Sequence, residues 1–365
     1  MKINEIILFL ESVAPPQLQE DYDNSGLIIG HKDKVINQAL ITLDCTEEVV
    51  DEAIENDCDL IIAHHPIVFS GIKRFDESNY IHRTLIKAIK HEIAIYAIHT
   101  NLDNVLNGVN GAIASKLGLV NTKILRPKNN TLKKVCVFVP EQEASTVRES
   151  MWHAGAGQLG NYSQCSFNSQ GIGTFLGNEN SQPAYGKKNQ LHFENEIRVE
   201  MVFPPHLEHN IISSMIDAHP YEEVSYDVYS LDNRHSKMGS GLIGHLEKPM
   251  ESTLFLSHLK TTMNTACIRH TKLVKKSISK IAICGGSGSF LLHDAIAQKA
   301  DVFISADFKY HQFFDANDKL IIADIGHFES EQFTKELIYG FLNKKFTKFA
   351  TRLSRVNTNP INYLK

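Results

Sequence analysis

Three short segments concentrate the residue types that bind metal ions and move protons. They are His64-His65-Pro66, His99-Thr-Asn-Leu-Asp103 and His327-Phe-Glu-Ser-Glu331. Each directly follows a run of apolar residues that reads as a buried strand. Pro66 biases His65 away from helical geometry, so the two imidazoles can turn toward one crevice just past a strand end. The plainer reading is one packed and one solvated histidine. Asp103 can ligate, cap a helix or sit in solvent. His99, at its strand's last position, either orients Asp103 or packs as a satisfied core histidine. His327 and Glu331, four apart, share one face if helical; alternatively Glu331 only favours a helix start.

Taken together, His64, His65, Asp103, His327 and Glu331 supply mixed nitrogen and oxygen ligation. That set suits Zn, Fe, Mn or Co better than Ca or Mg. Five ligands exceed the need of one open catalytic ion and fit two divalent ions ~3.5–4 Å apart. Asp307-Phe-Lys-Tyr-His311 follows another strand, so Asp307, Lys309 and His311 either line the same crevice or lie on the surface. Asp307, His99 and His311 are the candidate proton shuttles. Gly285-Gly-Ser-Gly288 either cradles a phosphate or forms a strand-to-helix turn; it lacks the P-loop lysine. Asp23 or Asn24 either reaches the site or only forms a turn.

Positioning these groups requires a regular scaffold. Apolar runs at Ala39–Asp44, Asp59–Ala63 and Ile93–Ile98 read as strands, separated by helical patterns at Thr46–Asn56 and Tyr80–Lys90, with a further helix at Gly108–Leu117. That alternation predicts a mostly parallel sheet covered on both faces, with the ligand segments on one edge of it. The texture returns at Lys280–Cys284, Asp301–Ser305, Lys319–Asp324 and a helix over Glu331–Lys345. Between the two stretches, residues 129–236 show two β-α-β halves, which predicts a ferredoxin-like α+β domain, with Gly155–Gln190 read as a polar loop. The expected organisation is an α/β metal-binding domain over 1–128 and 237–365, interrupted by that insertion.

Composition bounds the rest. The 365 residues carry 37 basic and 42 acidic side chains, net −5, and 18 histidines. That balance does not favour nucleic acid as a partner, although a ring with a basic lining would accept it. No apolar run approaches membrane-spanning length. The six cysteines form no CxxC pair, and the amphipathic N-terminus does not read as a signal peptide; the chain is expected to be cytoplasmic with reduced thiols.

With these residues in hand, the chain resembles the GTP cyclohydrolase I type 2 homologs, also called the Nif-three-like family. The matching segments are Tyr22-Asp-Asn-Ser-Gly-Leu27, Leu43-Asp44, His64-His-Pro-Ile-Val-Phe69, His99-Thr-Asn-Leu-Asp103, Gly285-Gly-Ser-Gly288, Asp307-Phe-Lys-Tyr-His311 and Gly326-His-Phe-Glu-Ser-Glu331. They fall in family order across both outer regions. Tyr22 stands where many members carry Trp, and Ser305-Ala-Asp307 where Thr-Gly-Asp is common. The resemblance implies a dinuclear site on the five ligands, bridged by Glu331. It also implies an insertion similar to the CutA and PII-like trimeric fold, and a toroidal homohexamer whose metal sites face an internal cavity. The function expected is a two-metal hydrolase acting on a nucleotide or phosphoester; the alternative is a non-catalytic, metal-dependent regulatory or binding protein.

Overall fold

The computed structural model describes residues 1–364. They form two compact units, one of Met1–Pro127 with the chain from Lys237 onward, the other of Lys128–Ser236. In chain order the first unit contributes strands β1 (Gly26–Ile29), β2 (Gln38–Thr42), β3 (Leu60–Ala63), β4 (Ala94–Ala97) and β5 (Leu119–Pro127). The second holds β6 (Lys133–Pro140), β7 (Phe167–Leu176), β8 (Leu191–Phe203) and β9 (Tyr226–Ser230). The chain then returns to the first with β10 (Gly239–Glu251), β11 (Arg269–His270), β12 (Ser277–Ser287), β13 (Val302–Ala306), β14 (Ile321–Asp324) and β15 (Ala350–Leu353).

The larger unit has two sheets, not the single one its strand pattern predicts. One runs β1-β4-β3-β2-β15 and the other β11-β14-β13-β12-β10-β5. In the first, β15, β2, β3 and β4 are parallel and β1 is antiparallel. In the second, β12, β13 and β14 are parallel while β5, β10 and β11 are antiparallel. Successive side chains of a strand point to opposite faces, and the cores obey that rule. Ile41, Ile62 and Tyr96 join Ile283, Ile304 and Ala323 in one large core, together with the apolar faces of helices Ile3–Val13, Val109–Lys116, Ser252–Thr262 and Thr334–Lys345. Leu40, Ile61 and Ile95 face the opposite way, against helices Glu47–Glu55 and Tyr80–Lys90. Ala282, Phe303 and Ile322 pack against helix Leu292–Ala297. The two sheets thus share one hydrophobic layer. At ~25 cal/mol per Å² of apolar surface, that layer is the main force holding their strand ends in place.

Local signals read correctly where they are local. Thr46 caps its helix by accepting from the Val49 N–H at 3.4 Å, and Gly118 closes another helix with φ +67°. The expected helix from Glu331 is instead split into His327–Glu331 and Thr334–Lys345.

The smaller unit runs β-α-β-β-α-β, with antiparallel order β7-β8-β6-β9 and two helices, Ala144–His153 and Glu208–Ala218, packed on its buried core. This is the ferredoxin-like arrangement. The stretch read as a polar loop, Gly155–Gln190, contains β7. Its sequence, Phe-Asn-Ser-Gln-Gly-Ile-Gly-Thr-Phe-Leu, lacks alternation because it is an edge strand exposed along most of its length. Pairing with β8 makes it a strand, not its own side chains.

Candidate metal centre

The carboxyl ends of parallel strands from both sheets converge on one point. β3 delivers His64 and His65, β4 the His99–Asp103 turn, β14 the helix His327–Glu331, and β12 the Gly285-Gly286 pair against Glu331. The predicted ligand segments therefore meet across two sheets, not along one edge of one sheet.

Each histidine is held by its Nδ1. The Nδ1–H of His64 donates to the Ile98 carbonyl at 2.8 Å, which fixes the tautomer. Nδ1 of His65 donates to Asp44 Oδ1 at 2.7 Å, that of His327 to Asp307 Oδ2 at 2.6 Å, and that of His99 to Asp23 Oδ1 at 2.7 Å. The Nε2 atoms of His64, His65 and His327 are turned inward onto Glu331. His65 Nε2 lies 2.9 Å and His327 Nε2 3.1 Å from Glu331 Oε2, and the two nitrogens are 3.4 Å apart. His64 Nε2 faces the other oxygen, Oε1, at 3.9 Å, and Asp103 Oδ1 at 3.7 Å.

Two triads follow: His64, Asp103 and Glu331; and His65, His327 and Glu331. Within each, ligand atoms lie within 4.8 Å of one another, and a third group joins His64, His65 and His99. Glu331 offers a different oxygen to each of the first two. His64 is fully buried, yet its Nε2 has no hydrogen-bond partner, and neither does the buried Asp103 Oδ1. Burying such atoms unpaired costs on the order of 1–3 kcal/mol each. Their separation is too long for a hydrogen bond, but two donors each ~2.1 Å from one ion lie ~3–4 Å apart. The residues present therefore fit a metal ion.

The electrostatics separate the triads. Burial pushes the His64 imidazolium down to about 4, leaving it neutral and ready to donate a lone pair. His65 is raised to about 10: burial opposes the charge, but the hydrogen bonds to Asp44 and Glu331 outweigh it. His327 is raised to about 11, with Glu331 and Asp307 overcoming burial. Burial together with the Glu331 charge raises Asp103 well above the usual carboxylate range. Burial acts in the same direction on Glu331, but the surrounding histidines hold it well below that range.

Backbone permits the Glu331 placement. A Cβ on Gly286 would sit 2.3 Å from Glu331 Oε1, and φ there is +61°. The Gly286 N–H donates to Ser330 Oγ at 2.9 Å and that of Gly285 to Asn110 Oδ1 at 2.9 Å. With both amides engaged, this glycine pair provides room for a carboxylate rather than a phosphate cradle.

A cavity of about 1320 Å³ opens over the cluster; His65, His99, Asp103, His327 and Glu331 line it, with apolar walls including Ile67, Phe69, Phe290 and Phe328. Of the three shuttle candidates, His99 lines this cavity. Asp307 sits behind His327, on its outer nitrogen. His311 is exposed, packed against Tyr310 and Phe314 away from the cavity. Lys309 is exposed as well. Asp23 reaches the site through His99, and its second oxygen accepts from the Thr100 N–H at 3.0 Å. Asn24 instead donates to the Val68 carbonyl. Sequence reading left Asp44 without a role, and Thr358 unnoticed. Asp44 follows β2 as the other groups follow their strands, which was a usable signal; Thr358 has none.

The Duf34/NIF3 (NGG1p interacting factor 3) family matches residues 1–360. A Halalkalibacterium halodurans protein described as GTP cyclohydrolase 1 type 2 homolog is 38% identical over 98% of both chains. One of the same description from Bacillus subtilis is 37% identical, covering 99% of this chain and 98% of its own. Among solved structures, a Bacillus cereus protein related to NIF3 superposes with TM-score 0.88 at 38% identity, covering 100% of this chain and 99% of that one. A family match across residues 1–360, with relatives 37–38% identical over nearly the whole chain, shows that the chain belongs to the Duf34/NIF3 family.

Proposed function

We propose that the cluster is a dinuclear centre for divalent metal ions and that the protein is a metal-dependent hydrolase of a nucleotide or phosphoester. The observation that carries the metal reading is the buried, unpartnered pair His64 Nε2 and Asp103 Oδ1, facing the same carboxylate that His65 and His327 engage from the other side. His64, Asp103 and Glu331 would hold one ion and His65, His327 and Glu331 the other, with Glu331 common to both sets. Zinc is the proposed occupant, with Fe, Mn or Co compatible with the same donors. Two such ions supply Lewis acidity to water and to a substrate oxygen.

The chain's own residues supply the rest. Asp44, Asp307 and the Ile98 carbonyl keep Nε2 of three histidines directed inward. Asp23 does the same for His99, whose Nε2 is the proposed site of proton transfer beside the cavity. The apolar walls favour a ring, and Lys73 and Arg74, which also line the cavity, favour a phosphate. The relatives described as GTP cyclohydrolase 1 type 2 homologs suggest a purine nucleotide among the first compounds to try. As part of the same proposal, the smaller unit is a CutA/PII-like module of a toroidal homohexamer in the cytoplasm; its solution mass by light scattering tests that assembly.

The deciding experiment is elemental analysis of purified protein, followed by a hydrolysis screen over nucleotides and phosphoesters with wild type, Glu331→Gln and Asp103→Asn. Two equivalents of metal and turnover lost in both variants are expected. Hydrolysis that persists in Glu331→Gln protein found free of metal defeats the hydrolase reading, and absence of bound metal in wild type defeats the dinuclear one.

A further inference from the structure

The chain after β15 is tied to both sides of the metal cluster. Ser354 N–H donates to the Ile41 carbonyl at 2.8 Å, and Arg355 N–H to Glu52 Oε1 at 2.9 Å, so the segment leaves along the first sheet. Thr358 Oγ1 then donates to Asp44 Oδ2 at 2.6 Å. Asn359 Nδ2 donates to Glu329 Oε1 at 3.2 Å, on the short helix that carries His327 and Glu331. Thr358, Asn359 and Pro360 line the cavity.

Asp44 is the connection that matters. Its Oδ1 holds His65 Nδ1, and its Oδ2 accepts from Thr358, so the carboxylate is fixed at both oxygens. Its side chain is 33% exposed, so without Thr358 the second oxygen would lose that partner and only the His65 contact would hold the carboxylate. A ligand histidine held by such a carboxylate is more basic and better aimed, and loss of an outer partner typically costs ~10–100-fold in metal affinity.

Resting on the dinuclear reading above, we propose that Thr358 is a positioning residue for the metal centre. Through Asp44 it sets the orientation of His65, and with Asn359 it makes the C-terminal segment a strap across the two halves of the site. The hydrogen bond of the Thr358 side chain goes to Asp44, not to a proposed ligand. The hydroxyl, not the methyl, does the positioning.

The test is zinc affinity of the full-length protein, measured by competition with a chromogenic chelator. Wild type is compared with Thr358→Val, Thr358→Ser and Asp44→Asn, with metal-free melting temperatures taken in parallel. The valine variant is expected to weaken one of two zinc equivalents by about 10-fold. Serine is expected to match wild type, and Asp44→Asn to weaken the same equivalent at least as much as valine. Unchanged affinity in the valine variant overturns the proposal, as does a loss in serine equal to that in valine, because packing would then explain it. If the valine variant does not fold, Asp44→Asn tests the link from its other end, and unchanged zinc affinity there overturns it. Wild type that takes up no zinc defeats the dinuclear reading itself; wild type that binds two equivalents while Thr358→Val binds equally well defeats this inference alone.

Discussion

The two halves of the cluster are built differently. The inner half, His64 with Asp103, is held by backbone: His64 is fully buried and anchored to a carbonyl, and its free nitrogen and the facing Asp103 oxygen have no protein partner. The outer half, His65 with His327, is held by carboxylates, and both nitrogens already find Glu331. His327 and Asp307 have side chains 37% and 46% exposed. The inner half has unmet bonding capacity of the kind an ion would satisfy. The outer half can satisfy itself, and its aim depends on side chains that can move. Rigid, unpaired donors and adjustable, paired ones thus face a single shared carboxylate, Glu331.

Glu331 is the one group common to both halves, so Glu331→Gln is expected to have the largest effect. Elemental analysis should fall from two equivalents toward none; retention of one full equivalent would show that the halves do not depend on a shared carboxylate. Next come the single-half variants. Asp103→Asn and His327→Ala should each retain about one equivalent, and loss of both ions in either variant would break the comparison.

The halves should also differ in stability without metal. His64→Ala opens a fully buried space between two sheets and is expected to cost about 2–4 kcal/mol, read from chemical denaturation of metal-free protein. His327→Ala empties a site a third exposed and should lose less packing energy, its cost coming instead from the buried Glu331 carboxylate it leaves behind. Equal losses would mean that the outer half is as integral to the core as the inner one. Chelation of the wild type should lower stability by about 2.7 kcal/mol for each ion removed, when the replaced condition held free ion at 100 times its dissociation constant. An unchanged melting temperature would argue against a native-state metal site. The smallest effect is expected from Asp307→Asn, about a 10-fold weaker outer ion with the inner one unaffected, by the same chelator competition.

Much of the scaffold was legible because its signals are local. Short apolar runs marked β2, β3, β4, β12, β13 and β14, and Thr46 and Gly118 marked helix ends. Signals that depend on a distant partner were not. β7 carries no pattern of its own, and the antiparallel β5 and β10, which widen the second sheet, went unread. The same division runs through the cluster. Histidine and carboxylate donors after strand ends could be picked out by type and spacing, because chain direction past a strand is a local property. That His65 and Glu331 belong to one site was expected only by combining the strand-end segments and from the family resemblance; their direct contact across 266 positions is not a local property of either segment.

What the amino-acid order determined alone was the set of donors and their delivery at strand ends, since residue chemistry and strand period need no tertiary contact. Packing of two sheets on one shared core decided the rest: which nitrogen of each histidine turns inward, that Gly286 makes room for a carboxylate, and that Asp44 and Thr358 stand behind His65. Those outcomes depend on where chain segments hundreds of residues apart come to rest. Only burial of the common apolar layer determines that.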